Sequence, residues 1–171
     1  MDFNQLAKER YSCKRFDAGK AVDEKALEAV LEAGRLAPTA KNLQEQKVYV
    51  LKSPEALAKF DQATPCRYGA PLVLVVAYDK NNVFTYPGGK RTSGTEDAAI
   101  VATHMLLASA AQGLDSCWIN FFDPDKLKSL LGLPGNEEVV MALDLGHKAE
   151  GVKPLAGHMS RKSLQETVRV L

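Results

Sequence analysis

The feature that most constrains the fold is a long stretch without charged residues, residues 98–114, near the middle of the chain. As a helix these residues would span about 25 Å at about 1.5 Å per residue, which is shorter than the roughly 30 Å hydrocarbon core of a bilayer. The stretch also contains Thr103, His104, Ser109 and Gln112. We therefore expect the buried helix of a soluble protein, forming either the spine of the domain or part of a subunit interface.

Composition excludes several classes of protein. The chain has 171 residues, of which 46% are hydrophobic and 25% charged, so disorder is excluded and we interpret residues 1–171 as one domain. The formal net charge of +1 provides no overall attraction for nucleic acid or for a membrane surface, and we expect neither partner. Cys13, Cys66 and Cys117 are too dispersed for a disulfide framework or a metal site. With no secretory signal visible, we expect a cytoplasmic protein.

Caps, turns and hydrophobic periodicity predict helices and strands around a small central sheet. Helices are expected at residues 2–10, 23–37, from 53 onward, 95–112 and 123–131, and strands at 47–52, 70–79, 116–121 and 138–145. Pro38 should end the second helix, and Gly113 suits a left-handed cap of the long one. The apolar strand 70–79 should be covered on both faces. The GxGxxG and GxxxxGK[ST] fingerprints of nucleotide-binding folds are absent.

The first candidate site is the segment 10–16, which follows the first helix. In an extended chain, Arg10, Ser12 and Lys14 point to one side. Two cations flanking a hydroxyl suit one phosphate and a second anionic group. The alternative is that these cations interact with the carboxyl end of the helix and are otherwise solvated.

Other segments offer polar or aromatic groups. In the turn 37–44, Asn42 and Gln44 carry the donors and acceptors that recognise a heterocycle edge, although an ordinary turn is an equally good interpretation. Residues 81–94 form a predicted mobile loop with aromatic content. The aromatic segment 113–122 fits a core, and the basic pair within 158–162 fits a solvated surface.

Together and in this order, these segments resemble the nitroreductase-like family of FMN-dependent NAD(P)H oxidoreductases, of which this would be a short member. The Arg-x-Ser-x-Arg/Lys-x-Phe pattern is matched at residues 10–16, and Ala-Pro-Ser/Thr-x-x-Asn-x-Gln at 37–44. Gly-Leu-x-Ser-Cys-Trp-Ile is matched at 113–119 after the long helix, and a late Arg-Lys pair at 161–162.

The resemblance implies an α+β fold with a central mixed sheet of about four to five strands flanked by helices. It also implies an intertwined homodimer with FMN at the interface. The phosphate would be held by Arg10, Ser12 and Arg161 with Lys162, and Lys14 would lie near the pyrimidine end of the flavin. The turn would approach the ring, partly from the partner subunit, and backbone N–H groups near Asn120 would face N5. The implied cofactor-binding residues are Arg10, Tyr11, Ser12, Lys14, Pro38, Thr39, Asn42, Gln44, Ile119, Asn120, Phe121, Arg161 and Lys162.

The function that the resemblance implies is hydride transfer from NAD(P)H through flavin N5 to a nitroaromatic, quinone or similar small oxidant, by a ping-pong mechanism. Phe84, Tyr86 and Arg91 in the loop would contact the substrate. No catalytic side chain is expected, because the cofactor carries the chemistry. The alternatives are a flavin carrier or sensor without turnover, and another flavin reaction such as ene reduction, dehalogenation or flavin fragmentation. A cofactor-free interaction module is the structural alternative.

Three departures from the family pattern affect the expected site. Gln44 is followed by Glu45-Gln46, where the family commonly continues Pro-Trp. Tyr11 occupies a position that is often basic. The chain is also short for the family, so the site should be open or closed only by the loop 81–94.

Overall fold

The computed structural model describes residues 2–171 as alternating helices and strands. The elements, in chain order, are α1 (Phe3–Glu9), α2 (Glu24–Arg35), β1 (Gln46–Leu51), α3 (Pro54–Ala63), β2 (Leu72–Asp79), α4 (Gly94–Ala111), β3 (Asp115–Ile119), α5 (Pro124–Leu131), β4 (Glu137–Gly146) and α6 (Leu164–Thr167). Every predicted element is present with ends shifted by a few residues, and α2 ends at Arg35 rather than at residue 37. The short helix α6 was not predicted.

Local signals account for the helix ends. The side chains of Asp2, Asp23, Ser53 and Asp123 accept backbone N–H groups in the first turns of α1, α2, α3 and α5. These acceptors satisfy donors that a helix leaves unpaired at its start. After α4, Gly113 has a φ of 73°, which confirms the left-handed cap.

The four strands form one sheet in the order β1-β2-β4-β3. This confirms the α+β class and the expected number of strands. All three strand pairings are antiparallel, however, whereas a mixed sheet was expected. An isolated bridge between Ser12 and Ser116 runs parallel beside β3. The apolar pattern of a strand reports which faces are covered and carries no information about direction, so this difference could not be foreseen.

Helices cover both faces of the sheet. Leu72, Leu74 and Val76 of β2 face a core made with α2 and α4. The alternate residues of β2 face a second core, which includes Phe60 of α3 and Leu127 of α5. The prediction that strand 70–79 is buried on both faces is therefore confirmed.

The long helix α4 has one buried and one exposed face. Gly34 of α2 allows close approach, because a Cβ there would lie 2.8 Å from Met105. The opposite face of α4 presents Ile100, Thr103 and His104 to solvent, and this face carries no charged residue from position 98 onward. None of the helices in residues 2–171 has the length and apolar character needed to cross a membrane.

Candidate functional site

A pocket of about 350 Å³ contains part of the predicted phosphate site. Arg10, Ser12 and Arg161 all line this pocket. They meet because the C-terminal segment passes back beside α1, where His158 Nε2 lies 3.3 Å from the carbonyl oxygen of Lys8. Residues from opposite ends of the chain thus form one cavity.

The two guanidinium groups of this pocket have no carboxylate partner among the described residues. Burial lowers the pKa of Arg10, and the neighbouring charge of Arg161 lowers it further. Arg161 Nη1 donates to the carbonyl oxygens of His158 at 2.6 Å and Ser160 at 2.7 Å, which fixes the side chain. Two close cations without a counter-ion are stabilised by an anion, and a phosphate supplies both the charge and the acceptor oxygens.

Tyr11, Lys14 and Lys162 occupy different positions around this pocket. Tyr11 lines it, packs edge-to-face on His158 with ring centroids 6.0 Å apart, and has a buried hydroxyl. Burial raises the pKa of Tyr11, so the side chain stays neutral and contributes a wall. Lys14 Nζ lies 5.9 Å from the centre of the Tyr68 ring, outside the lining. Lys162 is exposed and does not line the pocket.

The predicted ring-binding turn, residues 37–44, lies between α2 and β1. Pro38, Asn42 and Gln44 are exposed, and Thr39 is half-buried. Thr39 Oγ1 accepts the backbone N–H of Gln44 at 3.0 Å, and Gln44 Nε2 donates to the carbonyl oxygen of Asn42 at 3.3 Å. Asn42 and Gln44 have positive φ values of 57° and 52°, a conformation that non-glycine residues rarely adopt. The turn is thus held in a strained shape that presents the Asn42 amide to solvent.

The aromatic loop, residues 81–94, lies directly on this turn. Asn82 Nδ2 donates to the carbonyl oxygen of Leu43 at 3.0 Å, and Lys41 Nζ lies 4.6 Å from the centre of the Phe84 ring. The Phe84 and Tyr86 rings are 5.4 Å apart. Arg91 stacks over Tyr86, 5.5 Å from its centre. The predicted substrate residues are therefore brought next to the predicted ring-binding turn.

The end of β3 holds the remaining predicted residues. Ile119 is buried in the core, so only its backbone can face a ligand. The Asn120 side chain donates to the carbonyl oxygen of Val140 at 3.1 Å and accepts from the Trp118 indole N–H. Phe121 is 74% exposed, which is a high value for a phenylalanine.

Within one chain the two parts of the predicted site lie at opposite ends of α4. Asp97, in the first turn of α4, accepts the backbone N–H of Ala40 in the turn at 3.0 Å. Arg10 instead shares a cavity with Ala110 and Gly113, at the other end of the helix. The rise of an α-helix separates these ends by about 20 Å. One chain therefore does not bring the phosphate pocket and the ring-binding turn together.

Comparison with known proteins gives a consistent result. The family model described as the nitroreductase family matches residues 7–67 and 63–147. A crystal structure of a nitroreductase family protein from Clostridium difficile 630 is 35% identical, with a TM-score of 0.91, and the match covers 99% of this chain and 98% of that one. An NADH dehydrogenase of Thermus thermophilus is 29% identical over 88% of each chain. A structure from Exiguobacterium sibiricum in complex with FMN is 18% identical, with a TM-score of 0.85, and covers 100% of this chain and 98% of that one.

The chain belongs to the nitroreductase family. Its members are enzymes, and the α+β class expected from the resemblance is the one observed. The family assignment rests on most of the chain rather than on one motif, since the matched ranges run from α1 through β4.

Two buried carboxyl groups in this nitroreductase-family chain were not identified as part of the site from the sequence. Glu45 and Asp97 are 1% and 4% exposed, and together they lie beneath the turn and the loop. The departure at Glu45 from the family pattern was a usable signal, because a carboxylate in a position that the family commonly fills with proline needs a partner if it is buried. Asp97 gave no signal, since an acidic residue in the first turn of a helix is ordinary.

Another buried carboxyl group, Asp144, lies at the centre of the sheet. It is fully buried in β4, and neither of its side-chain oxygens has a hydrogen-bond partner. Burial raises the pKa of Asp144 to about 9, against the opposing effect of Arg67. The group is therefore neutral at neutral pH.

Proposed function

We propose that this chain is an FMN-dependent NAD(P)H oxidoreductase that acts as a homodimer of single-domain subunits on a small-molecule oxidant. The observation that carries the proposal is the convergence of Arg10, Ser12 and Arg161 in one pocket without a carboxylate partner. Two guanidinium groups and one hydroxyl match the charge and acceptor oxygens of one phosphate, which favours a mononucleotide over a dinucleotide. The FMN complex of a protein with the same fold supports this choice.

The residues proposed for the flavin ring are the turn, Lys14 and the end of β3. Asn42 presents an exposed amide that can both donate to and accept from a heterocycle edge. The positive charge of Lys14 would stabilise negative charge on the pyrimidine end. The exposed backbone after Ile119 would supply N–H donors. Bound FMN would supply hydride transfer through N5 between NAD(P)H and an oxidant such as a nitroaromatic or quinone in alternating half-reactions.

The placement of the two half-sites supports the proposed homodimer. Because the phosphate pocket and the turn lie about 20 Å apart along α4, a second copy would supply one of them to complete a flavin site. The exposed face of α4 has no charge from residue 98 onward, as an interface would require. The segment after β4 also exposes large apolar side chains, namely Leu155, Met159, Leu164 and Val168. Such side chains are expected to pack on a partner.

The aromatic loop is the proposed substrate wall. The Phe84 and Tyr86 rings offer faces on which an aromatic oxidant stacks, and Lys41 and Arg91 place positive charge beside them. These cations would favour the electron-rich oxygens of nitro and quinone groups. No side chain of the chain is assigned as a general acid or base.

An absorption titration tests the proposal. The purified protein is titrated with FMN, and NADH or NADPH is then added without oxygen. We expect a bound flavin spectrum that bleaches with a reduced nicotinamide and recovers with a quinone. Failure to bind FMN would overturn the proposal, and binding without bleaching would favour a flavin carrier or sensor. Product analysis with a nitroaromatic and with an activated alkene then distinguishes nitro reduction from ene reduction.

A further inference from the structure

Glu45 and Asp97 form a buried pair of carboxyl groups where three segments meet. Glu45 Oε1 accepts the hydroxyl of Ser93 at 3.1 Å, and Asp97 Oδ1 accepts the Ala40 N–H at 3.0 Å. The remaining oxygens, Glu45 Oε2 and Asp97 Oδ2, are buried without another donor. Both residues are held at Ser93, Glu45 by the Ser93 hydroxyl and Asp97 by its own N–H, which donates to the Ser93 carbonyl oxygen at 2.8 Å, so the two carboxyl groups lie next to each other. Two buried carboxylates in contact cannot both stay ionised, whereas one shared proton gives both remaining oxygens a partner.

No cation neutralises this pair among the described residues. The charged side chains of the surrounding elements lie away from the pair. In the loop and the turn, Lys41 lies on the Phe84 ring, Arg91 lies on the Tyr86 ring, and Lys90 is exposed. Glu96 accepts the Tyr86 hydroxyl, and Asp79, with Lys47 near it, accepts the Asn81 N–H. Arg35 pairs with Glu32, Glu137 accepts the Tyr49 hydroxyl, and Lys80 pairs with Glu138. The shared proton is thus the available way to remove the excess negative charge.

The pair connects the ring-binding turn to the aromatic loop. Asp97 holds the turn through Ala40. Glu45 holds the loop through Ser93, whose Oγ also accepts the Phe84 N–H at 3.2 Å. One pair of side chains therefore fixes both segments against the first turn of α4.

We propose that Glu45 and Asp97 share one proton and that this pair positions the ring-binding turn and the aromatic loop relative to each other. Its relevance to turnover rests on the proposed function, but the pair itself does not. Loss of the proton would leave two negative charges in contact, and their repulsion would separate the turn from the loop.

The pair predicts a specific pH dependence for local opening. Burial, together with Asp97, raises the pKa of Glu45. The closed state therefore keeps a proton that the open, solvated state loses above the ordinary carboxyl range. The equilibrium constant for separating the turn from the loop should increase up to about tenfold for each pH unit between the ordinary carboxyl range and the pKa of the closed pair. Above the pKa of the closed pair it should no longer change.

Hydrogen exchange of the backbone amides of Ala40 and Phe84 tests this, measured from about pH 5 to about pH 9 and corrected for intrinsic base catalysis. In the wild-type protein, the corrected exchange rates of these two amides should still increase with pH. Glu45→Gln and Asp97→Asn should both abolish this increase, because each amide donates to the remaining carboxylate without a titrating proton. Glu137→Gln is the matched control, since this buried glutamate accepts a tyrosine hydroxyl, and it should retain the wild-type slope.

An infrared difference spectrum provides a second measurement. Wild type minus Glu45→Gln should contain the C=O band of a protonated carboxyl group at neutral pH. The proposal is overturned if this band is absent, or if Glu45→Gln and Asp97→Asn keep the wild-type exchange slope. Because neither measurement uses FMN, a protein that shows the slope and the band but binds no flavin would overturn the proposed function alone.

Discussion

Arg10 and Arg161 lie at opposite ends of the sequence, yet they line one pocket closely enough for the charge of Arg161 to lower the pKa of Arg10. Nothing in the described residues neutralises either guanidinium group by an ion pair. Such an arrangement costs stability in the free protein and is relieved by an anionic ligand. It therefore provides the most direct test of the proposed phosphate site.

Arg10→Ala and Arg161→Ala should each weaken FMN binding roughly 10- to 100-fold. A charge-assisted hydrogen bond contributes about 1.5–3 kcal/mol, and each substitution removes at least one. Fluorescence quenching of FMN measures the affinity. Arg15→Ala is the matched control, because Arg15 belongs to the same segment but donates to the carbonyl oxygen of Glu150. Equal losses for Arg15→Ala and Arg10→Ala would contradict the assignment.

Ile100→Lys should convert the proposed dimer into a monomer and abolish FMN binding together with it. The substitution places a charge on the uncharged face of α4, where it would be desolvated in the interface. Sedimentation velocity measures the oligomeric state. Val50→Lys on β1 is the control, since Val50 and Ile100 are both 37% exposed apolar residues. A monomeric wild-type protein, or an Ile100→Lys dimer, would exclude this face as the interface.

Gly94→Ala should destabilise the fold by about 1–3 kcal/mol, because a Cβ at this position would overlap the Tyr78 ring. Gly94 begins α4 directly after Ser93, so the variant should also increase hydrogen exchange in the aromatic loop. Thermal unfolding measures the first effect, with an expected decrease in Tm of roughly 2–12 °C. Gly135→Ala is the control, since no atom lies within 4 Å of its added Cβ.

The sequence predicted the elements that rely on local signals. The helix starts expected at residues 23 and 53 are observed, because Asp23 and Ser53 supply the side-chain acceptors that a helix start needs, and Gly113 adopts the positive φ expected of a left-handed cap. Strand direction was missed, because an apolar run such as that of β2 is compatible with either direction. Local chemistry thus determines where elements begin and end, and long-range pairing determines how they are arranged.

The candidate site was predictable only where its residues matched the family pattern. That pattern named Arg10 and Arg161, which the fold brings together, but it also named Lys162, which does not line the pocket. Glu45 and Asp97 were not identified as a pair, because their proximity depends on how β1 meets α4. The sequence could signal that Glu45 needs a partner, but it could not show that Asp97 lies beside it.

The buried carboxyl group of Asp144 should make the free energy of unfolding depend on pH. Burial raises the pKa of this carboxyl group from 3.8 to about 9 in the folded state. Between about pH 4 and about pH 9 the folded protein therefore keeps a proton that the unfolded chain has lost. The free energy of unfolding should fall as pH rises through this interval, by up to about 1.4 kcal/mol per pH unit from this group.

Asp144→Asn should remove that contribution, because the amide is neutral at every pH. Near pH 5 the difference in stability between the variant and wild type should be small compared with that at pH 8, since the neutral acid and the amide are both buried without partners. Near pH 8 the variant should be more stable than wild type, because only wild type must take up a proton at residue 144 when it folds. Urea unfolding at both pH values measures the difference, with Asp125→Asn as an exposed control whose charge does not act on Asp144. Parallel pH profiles for Asp144→Asn and wild type would show that Asp144 is ionised in the folded protein.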